Sequence, residues 1–175
     1  GLPAPNIQYE FLPMLGEMGH GEVNVDDGIQ YYMSLQRPRN SGAVTLASAD
    51  PLAAPKFQLN YFSERDDMAQ MVEAVRATRE IVRQKAWDGL RGAEAAPGAA
   101  AVSDTDIIAW IRSAAGTNYH LCCSCRMGVD DLAVVDEQAR VHGLEGLRVI
   151  DASIMPEIPT ANLNAPTIMM AEKLS

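Results

Sequence analysis

The chain is poor in cysteine, with three in 175 residues, all between positions 122 and 125. Thiols this close together cannot staple distant parts of a fold. A disulfide framework is excluded, and free thiols in a reducing compartment are expected. Long apolar runs are also missing. The longest, such as residues 165–171, fall far short of the roughly 20 residues that a bilayer-spanning helix needs. No charged-then-apolar segment opens the chain in the manner of a signal peptide. Clustered basic residues are absent too: 14 Lys and Arg are scattered among 23 Asp and Glu, for a formal net charge of −9. Such a surface repels phosphate, so nucleic acid is not an expected partner. A cytoplasmic location is expected, with peripheral membrane association left open.

What is present suits a folded domain. At 47% hydrophobic and 21% charged, the composition supports one globular domain with a substantial core, or a domain plus a fragment of a second. The opening Gly1-Leu2-Pro3-Ala4-Pro5 reads as an internal cut. Residues 7–12, 28–36, 42–47 and 55–59 are short, β-rich and bounded by Pro, Gly, Asn and Asp, which predicts strands. Gln30, Tyr32, Ser34 and Gln36 alternate with Ile29, Tyr31, Met33 and Leu35, the period of an antiparallel sheet with one buried face.

From Ser63 the period becomes helical. Met68, Met71, Val72, Val75 and Val82 share one face, predicting a helix to about Lys85. Residues 89–101, rich in Gly, Ala and Pro, read as a surface connection. A second helix is expected over residues 104–115, with Ser103 as N-cap, a stripe of Ile107, Ile108, Ile111 and Ala115, and Gly116 as its stop. Residues 147–151 read as a compact strand, and Pro166 announces a last helix over 167–173.

The chemistry-bearing residues lie late in the chain. His120-Leu121-Cys122-Cys123-Ser124-Cys125-Arg126-Met127-Gly128 is followed by Val135-Asp136, Arg140-Val141-His142-Gly143 and Gly146-Leu147-Arg148-Val149-Ile150-Asp151-Ala152-Ser153. Asn162-Leu163-Asn164-Ala165-Pro166-Thr167 closes the series. In this order they resemble the C-terminal portion of the glucose-methanol-choline oxidoreductases, and within that family the bacterial FAD-dependent alcohol dehydrogenases. The ordered match covers about 55 residues, and in looser form the likeness spans most of the chain. Leu121 and Cys123 stand where the family's HPxGTCRMG pattern carries Pro and Gly.

The resemblance implies an α+β fold: an antiparallel sheet flanked by helices as a substrate-binding domain over residues 1–130, then the last strand and helix of an FAD-binding α/β domain over 131–175. It implies oxidation of a small-molecule alcohol by hydride transfer to FAD. His120 would be the general base or hydrogen-bond partner of the hydroxyl, and Asn162 would hold the same oxygen. A neutral imidazole can take a hydroxyl proton at neutral pH, and an amide donor steadies the charge that develops on the oxygen. Asp151, Ala152, Asn164, Pro166 and Thr167 would lie against the flavin. The N-terminal amides and dipole of a helix beginning at Pro166 suit negative charge on that ring system.

The family grips FAD with a GxGxxG turn. The nearest run here, Gly16-Glu17-Met18-Gly19-His20-Gly21, has the wrong spacing, so the chain is expected not to hold FAD alone and to be completed by an N-terminal FAD-binding portion.

Simpler readings stand beside these. His120 can be a structural histidine of a Cys-rich turn, and Asn162 a turn residue. His120 with Cys122, Cys123 and Cys125 falls short of a zinc site, because structural zinc generally draws a second ligand pair from a distance. A redox dithiol at Cys122 and Cys125 is set against buried thiols that merely pack a turn. His142 reads as a structural hydrogen-bonding residue. The alternative function is a non-catalytic binding or interaction module. A cage for a quaternary ammonium cannot be assembled from the spacing of aromatic or acidic residues, so a primary alcohol is the expected substrate class.

Overall fold

A computed structural model describes residues 4–16 and 26–175; His20 and most of the glycine run at 16–21 lie outside them. The chain divides into two compact units, Gly1–Leu35 with Glu64–Gly116 and Gln36–Ser63 with Thr117–Ser175. It is a mixed α/β structure of small antiparallel sheets and helices.

In the first unit, β1 (Ile7–Leu12) pairs antiparallel with β2 (Gln30–Leu35), Ile7 opposite Leu35 and Leu12 opposite Gln30. Phe11 faces Tyr31 across the ladder with ring centroids 5.4 Å apart, and Trp87 adds a third ring 6.0 Å from Phe11. Aromatic cross-strand pairs of this kind stabilise a two-stranded ribbon that would be marginal alone. The expected alternation does not resolve into a buried and an exposed face, since every residue of β2 is half-buried. Two strands are too narrow to bury one face fully.

Helix α1 (Arg65–Arg83) supplies the remaining cover. Its buried residues include Met68, Met71, Val72 and Val75, the predicted stripe, while Val82 is half-buried near the end. Tyr9 donates from its hydroxyl to the Ala74 carbonyl at 3.3 Å and Thr78 to Met33 Sδ at 3.3 Å, tying sheet to helix. Burial raises the Tyr9 pKa above its ordinary value.

Helix α2 (Asp104–Ala114) buries Ile107 and Ile111, and Ser103 caps it in a reciprocal box with Asp106. This satisfies two amides that the first turn would otherwise leave unbonded. The helix ends with Ala115 in extended conformation, so Gly116 is not needed as a left-handed cap.

In the second unit, β3 (Ala43–Thr45) pairs antiparallel with β4 (Lys56–Gln58). The pair is closed by side-chain bonds from Asn40 to the Leu59 carbonyl (3.2 Å) and from Asn60 to the Ser41 carbonyl (2.8 Å). The core of this unit is Val135, Ala139 and Ile154, packed by Met127, Val141, Val149, Met170 and Leu174.

The strand expected at 147–151 does not form. The segment meets the chain around Ala139–Val141 through one bridge, Arg140 with Arg148, and by the bonds Val149 N–H to Ala139 O and Val141 N–H to Leu147 O. The pairing spans only Ala139–Val141 against Leu147–Val149, too short to continue as a ladder. The chain instead turns into a short 3₁₀ segment, Ala152–Ile154.

The last helix, α3 (Asn164–Leu174), begins earlier than predicted, and Pro166 is its third residue rather than its first. Proline is tolerated there because amides of the first turn have no carbonyl to reach within the helix. Arg148 donates to the Leu174 carbonyl at 3.0 Å, steadying the C-terminal end.

Candidate functional site

The candidate site is assembled from loops of the second unit. Its frame is the stretch from Cys123 to Met127, which runs beside the 3₁₀ segment. Cys123, Cys125 and Met127 donate their amides to the carbonyls of Ala152 (3.4 Å), Ser153 (2.9 Å) and Ile154 (2.9 Å). Alternate amides of the loop thus reach three consecutive carbonyls of the turn, and Ile154, fully buried, anchors it. Arg126 forks onto Asp130, one guanidinium nitrogen reaching Oδ2 at 2.9 Å and the other Oδ1. The carboxylate is thereby held at a pKa of about 2, with the bond from Arg126 the largest cause and the Leu132 amide next. Asp136 accepts from the amides of Gln138 and Arg140 and from the Arg140 guanidinium, and its pKa is lowered chiefly by Arg140. These pairs brace the turns on either side of Val135. His142 Nε2 engages the Gly128 carbonyl at 3.0 Å.

His120 is half-buried at the start of this loop. Its Nδ1 accepts from the Leu163 amide at 3.5 Å, between positions 43 apart in sequence. The histidine therefore sits against the residue that follows Asn162. Asn162 itself is exposed, and its carboxamide makes no hydrogen bond among the described residues. A ring that accepts at Nδ1 carries its proton, when neutral, on Nε2. In that tautomer Nε2 can donate to an oxygen. Presenting a free lone pair at Nε2 would mean giving up the Leu163 bond.

The other predicted residues fall close by. Asp151 is exposed, and its carboxylate accepts from the amide and the hydroxyl of Ser153, fixing the 3₁₀ turn. Ala152 is half-buried and accepts the Cys123 amide. At the head of α3, Asn164 is exposed, Pro166 and Thr167 are half-buried, and Thr167 closes onto the Leu163 carbonyl through both its amide and its hydroxyl, the latter at 2.7 Å. Leu163 carries no side-chain cap. The amides of Asn164 and Ala165 have no partner among the described residues, which suits a ligand offering acceptor atoms, as the pyrimidine edge of a flavin does.

Sequence reasoning missed Leu163, because its contribution is a backbone amide that any residue could supply. The cysteines also differ from expectation. All three are half-buried rather than buried, and the sulfur contact joins Cys122 to Cys123 at 3.2 Å, not the CxxC pair. Cys123 has φ +71°, a left-handed conformation that glycine adopts without strain. The turn thus keeps the path expected of a glycine although a cysteine stands there. Among the described residues no group of three His, Cys, Asp or Glu could hold a metal ion, and no helix is long and apolar enough to cross a membrane.

Known proteins share this framework. A family profile described as GMC oxidoreductase matches residues 38–171. Oxygen-dependent choline dehydrogenases from Burkholderia ambifaria (strain MC40-6) and Burkholderia multivorans (strain ATCC 17616 / 249) are each 51% identical over 173 residues, 99% of this chain and 31% of theirs. Among solved structures, a formate oxidase variant (R554K) from Aspergillus oryzae RIB40 aligns with a TM-score of 0.89 at 27% identity, covering 99% of this chain and 31% of that one. Pyridoxine 4-oxidase from Mesorbium loti aligns with a TM-score of 0.79 at 28% identity, covering 83% and 28%. The chain therefore spans about a third of the length of these relatives. With the profile running through the framework just described and half of the residues shared with curated relatives, this chain belongs to the GMC oxidoreductase family.

Proposed function

We propose that this chain is the C-terminal, substrate-facing part of an FAD-dependent oxidoreductase that acts on an alcohol, with His120 and Asn162 engaging the reacting hydroxyl. The observation that carries this reading is the bond from Leu163 to His120 Nδ1. It draws together the two segments, far apart in sequence, whose residue types suit one oxygen atom. Support for the cofactor comes from the unpartnered amides heading α3. Asn164 and Thr167, with Asp151, Ala152 and Pro166 nearby, would hold FAD, whose chemistry when bound is to accept two electrons from the alcohol carbon.

The chain's own residues would manage the oxygen. Asn162 has a free carboxamide to donate. His120 can serve as base or as hydrogen-bond partner, and the Leu163 bond favours the second role, with Nε2–H donating. Two donors aimed at one oxygen stabilise the charge that grows there as the hydroxyl proton departs. The similarity to oxygen-dependent choline dehydrogenases makes a choline-like alcohol the favoured substrate. The rest of the proposal is that residues 1–130 belong to a substrate-binding domain, residues 131–175 return to the FAD-binding domain, and an N-terminal portion completes the site.

The test is alcohol-dependent bleaching of bound flavin in the full-length protein that carries this chain. Bleaching with choline, sharply slowed by His120→Ala, is expected. Turnover unchanged by that substitution would overturn the assignment. The second reading, an interaction module without chemistry, draws on exposed Leu46, Leu52 and Phe57 around the β3–β4 pair and predicts no bleaching with any alcohol.

A further inference from the structure

We propose that Cys122 and Cys123 form a vicinal dithiol that a hydroperoxide converts into a reversible Cys122–Cys123 disulfide. The sulfurs already touch, with Sγ atoms 3.2 Å apart. Cys123 is held at φ +71°, with its amide bonded to the Ala152 carbonyl. Both side chains are half-buried rather than sealed, so a small oxidant can reach them. Cys125, although in the familiar CxxC spacing, has its amide bonded to the Ser153 carbonyl and takes no part in the sulfur contact.

The chemistry balances as a two-electron oxidation. Burial, and then the bond to Cys123, push the Cys122 thiol up to about 12, which keeps it protonated and assigns the first attack to the Cys123 sulfur. That sulfur displaces one oxygen of the hydroperoxide: a sulfur–oxygen bond forms, the oxygen–oxygen bond breaks, and an alcohol, or water from hydrogen peroxide, departs. The resulting sulfenic acid is attacked by Cys122. The sulfur–sulfur bond forms as the sulfur–oxygen bond breaks, and the Cys122 proton leaves with the hydroxyl as water. Two thiols become one disulfide, and the hydroperoxide is reduced by the same two electrons. Adjacent Cα atoms lie about 3.8 Å apart across a trans peptide, closer than the roughly 4.4–6.8 Å usual for a disulfide. Such a link is strained and readily reopened by a dithiol.

The proposal is independent of the role assigned to His120, because its readouts are of the sulfurs alone. Hydrogen peroxide, added in small excess to the reduced native protein, should lower the mass of the peptide holding the three cysteines by about 2 Da. Alkylation should then mark Cys125 only, and dithiothreitol should return all three sites. Cys125→Ser should leave the reaction intact. Cys123→Gly, suited to the left-handed backbone, should abolish it, and Cys122→Ala should do the same and serves if the glycine variant does not fold. A link that includes Cys125, oxidation of Cys123 to sulfinic acid without a link, or three thiols still free once peroxide has consumed a small-molecule thiol would each overturn the proposal.

Discussion

The Leu163 amide donates to Nδ1 of His120 across 3.5 Å, and this bond constrains what the other ring nitrogen can do. With Nδ1 accepting, Nε2 carries hydrogen and acts as a donor. Glutamine at position 120 preserves an amide donor but cannot take a proton. His120→Ala is expected to slow flavin reduction by about 10²–10⁴-fold, the span of a well-placed acid–base group, while His120→Gln should recover part of the loss. A glutamine variant as slow as the alanine variant would return His120 to the role of base.

Asn162 offers a second separation. Its side chain is exposed and has no hydrogen bond among the described residues, so the folded state has little invested in it. Asn162→Ala should leave stability within about 0.5 kcal/mol, as for other surface substitutions. It should lower kcat by about 10²–10³-fold, the scale on which removing one oxyanion donor is felt. Thermal unfolding and steady-state kinetics on the same preparation decide the matter. A fall in melting temperature with unchanged kcat would make Asn162 a turn residue and nothing more.

The turn after the cysteines should respond to acid. The pKa of Asp130 is lowered to about 2 by Arg126 and the Leu132 amide, so the folded state favours the ionised carboxylate. Stability from a depressed carboxylate is fully present above its unfolded pKa, near 4, and is lost as pH falls toward 2. Asp130→Asn should therefore differ from the native protein in denaturant midpoint at pH 6, with the gap closing between about pH 4 and pH 2. A gap of constant size across that range would show that the ion pair contributes nothing.

Much of the fold was legible because local patterns and tertiary packing agree. The stripe through Met68, Met71, Val72 and Val75, and the Ser103 cap with Ile107 and Ile111 behind it, are short-range signals that the folded chain obeys. Elements whose form depends on distant partners were harder to read. Residues 147–151 carry strand-forming side chains but meet a partner only at residues 139–141, through a single bridge, so no strand forms. Pro166 marked the last helix, yet the helix opens two residues earlier because proline is tolerated within the first turn. That the His120 loop meets the segment holding Asn162 was expected only through the order of family motifs, and neither periodicity nor residue type pointed to the Leu163 amide that makes the bond. The contact between the Cys122 and Cys123 sulfurs had no cue in the sequence, since CxxC spacing says nothing of a left-handed backbone at Cys123. The cluster of Val135, Ala139 and Ile154 comes from three irregular segments, for which a linear pattern offers no cue.

That cluster yields the last prediction. Ile154 has no exposed surface; its carbonyl accepts the Met127 amide, and it packs with Val135 and Ala139 against Met170 and Leu174 of α3. It therefore joins the cysteine loop, the 3₁₀ turn and the last helix. Ile154→Ala removes three carbons from a closed space and should cost about 2–5 kcal/mol, whereas Ile154→Val should cost about 0.5–1.5 kcal/mol. Because the same residue supports both segments that meet at His120 and Leu163, the alanine variant should lose turnover as well as stability at temperatures where it remains folded. Asn162→Ala should lose turnover alone. Denaturant unfolding monitored beside flavin reduction compares the two variants directly. An Ile154→Ala protein that is destabilised yet turns over normally while folded would uncouple this core from the site and leave the loop to position His120 by its own hydrogen bonds.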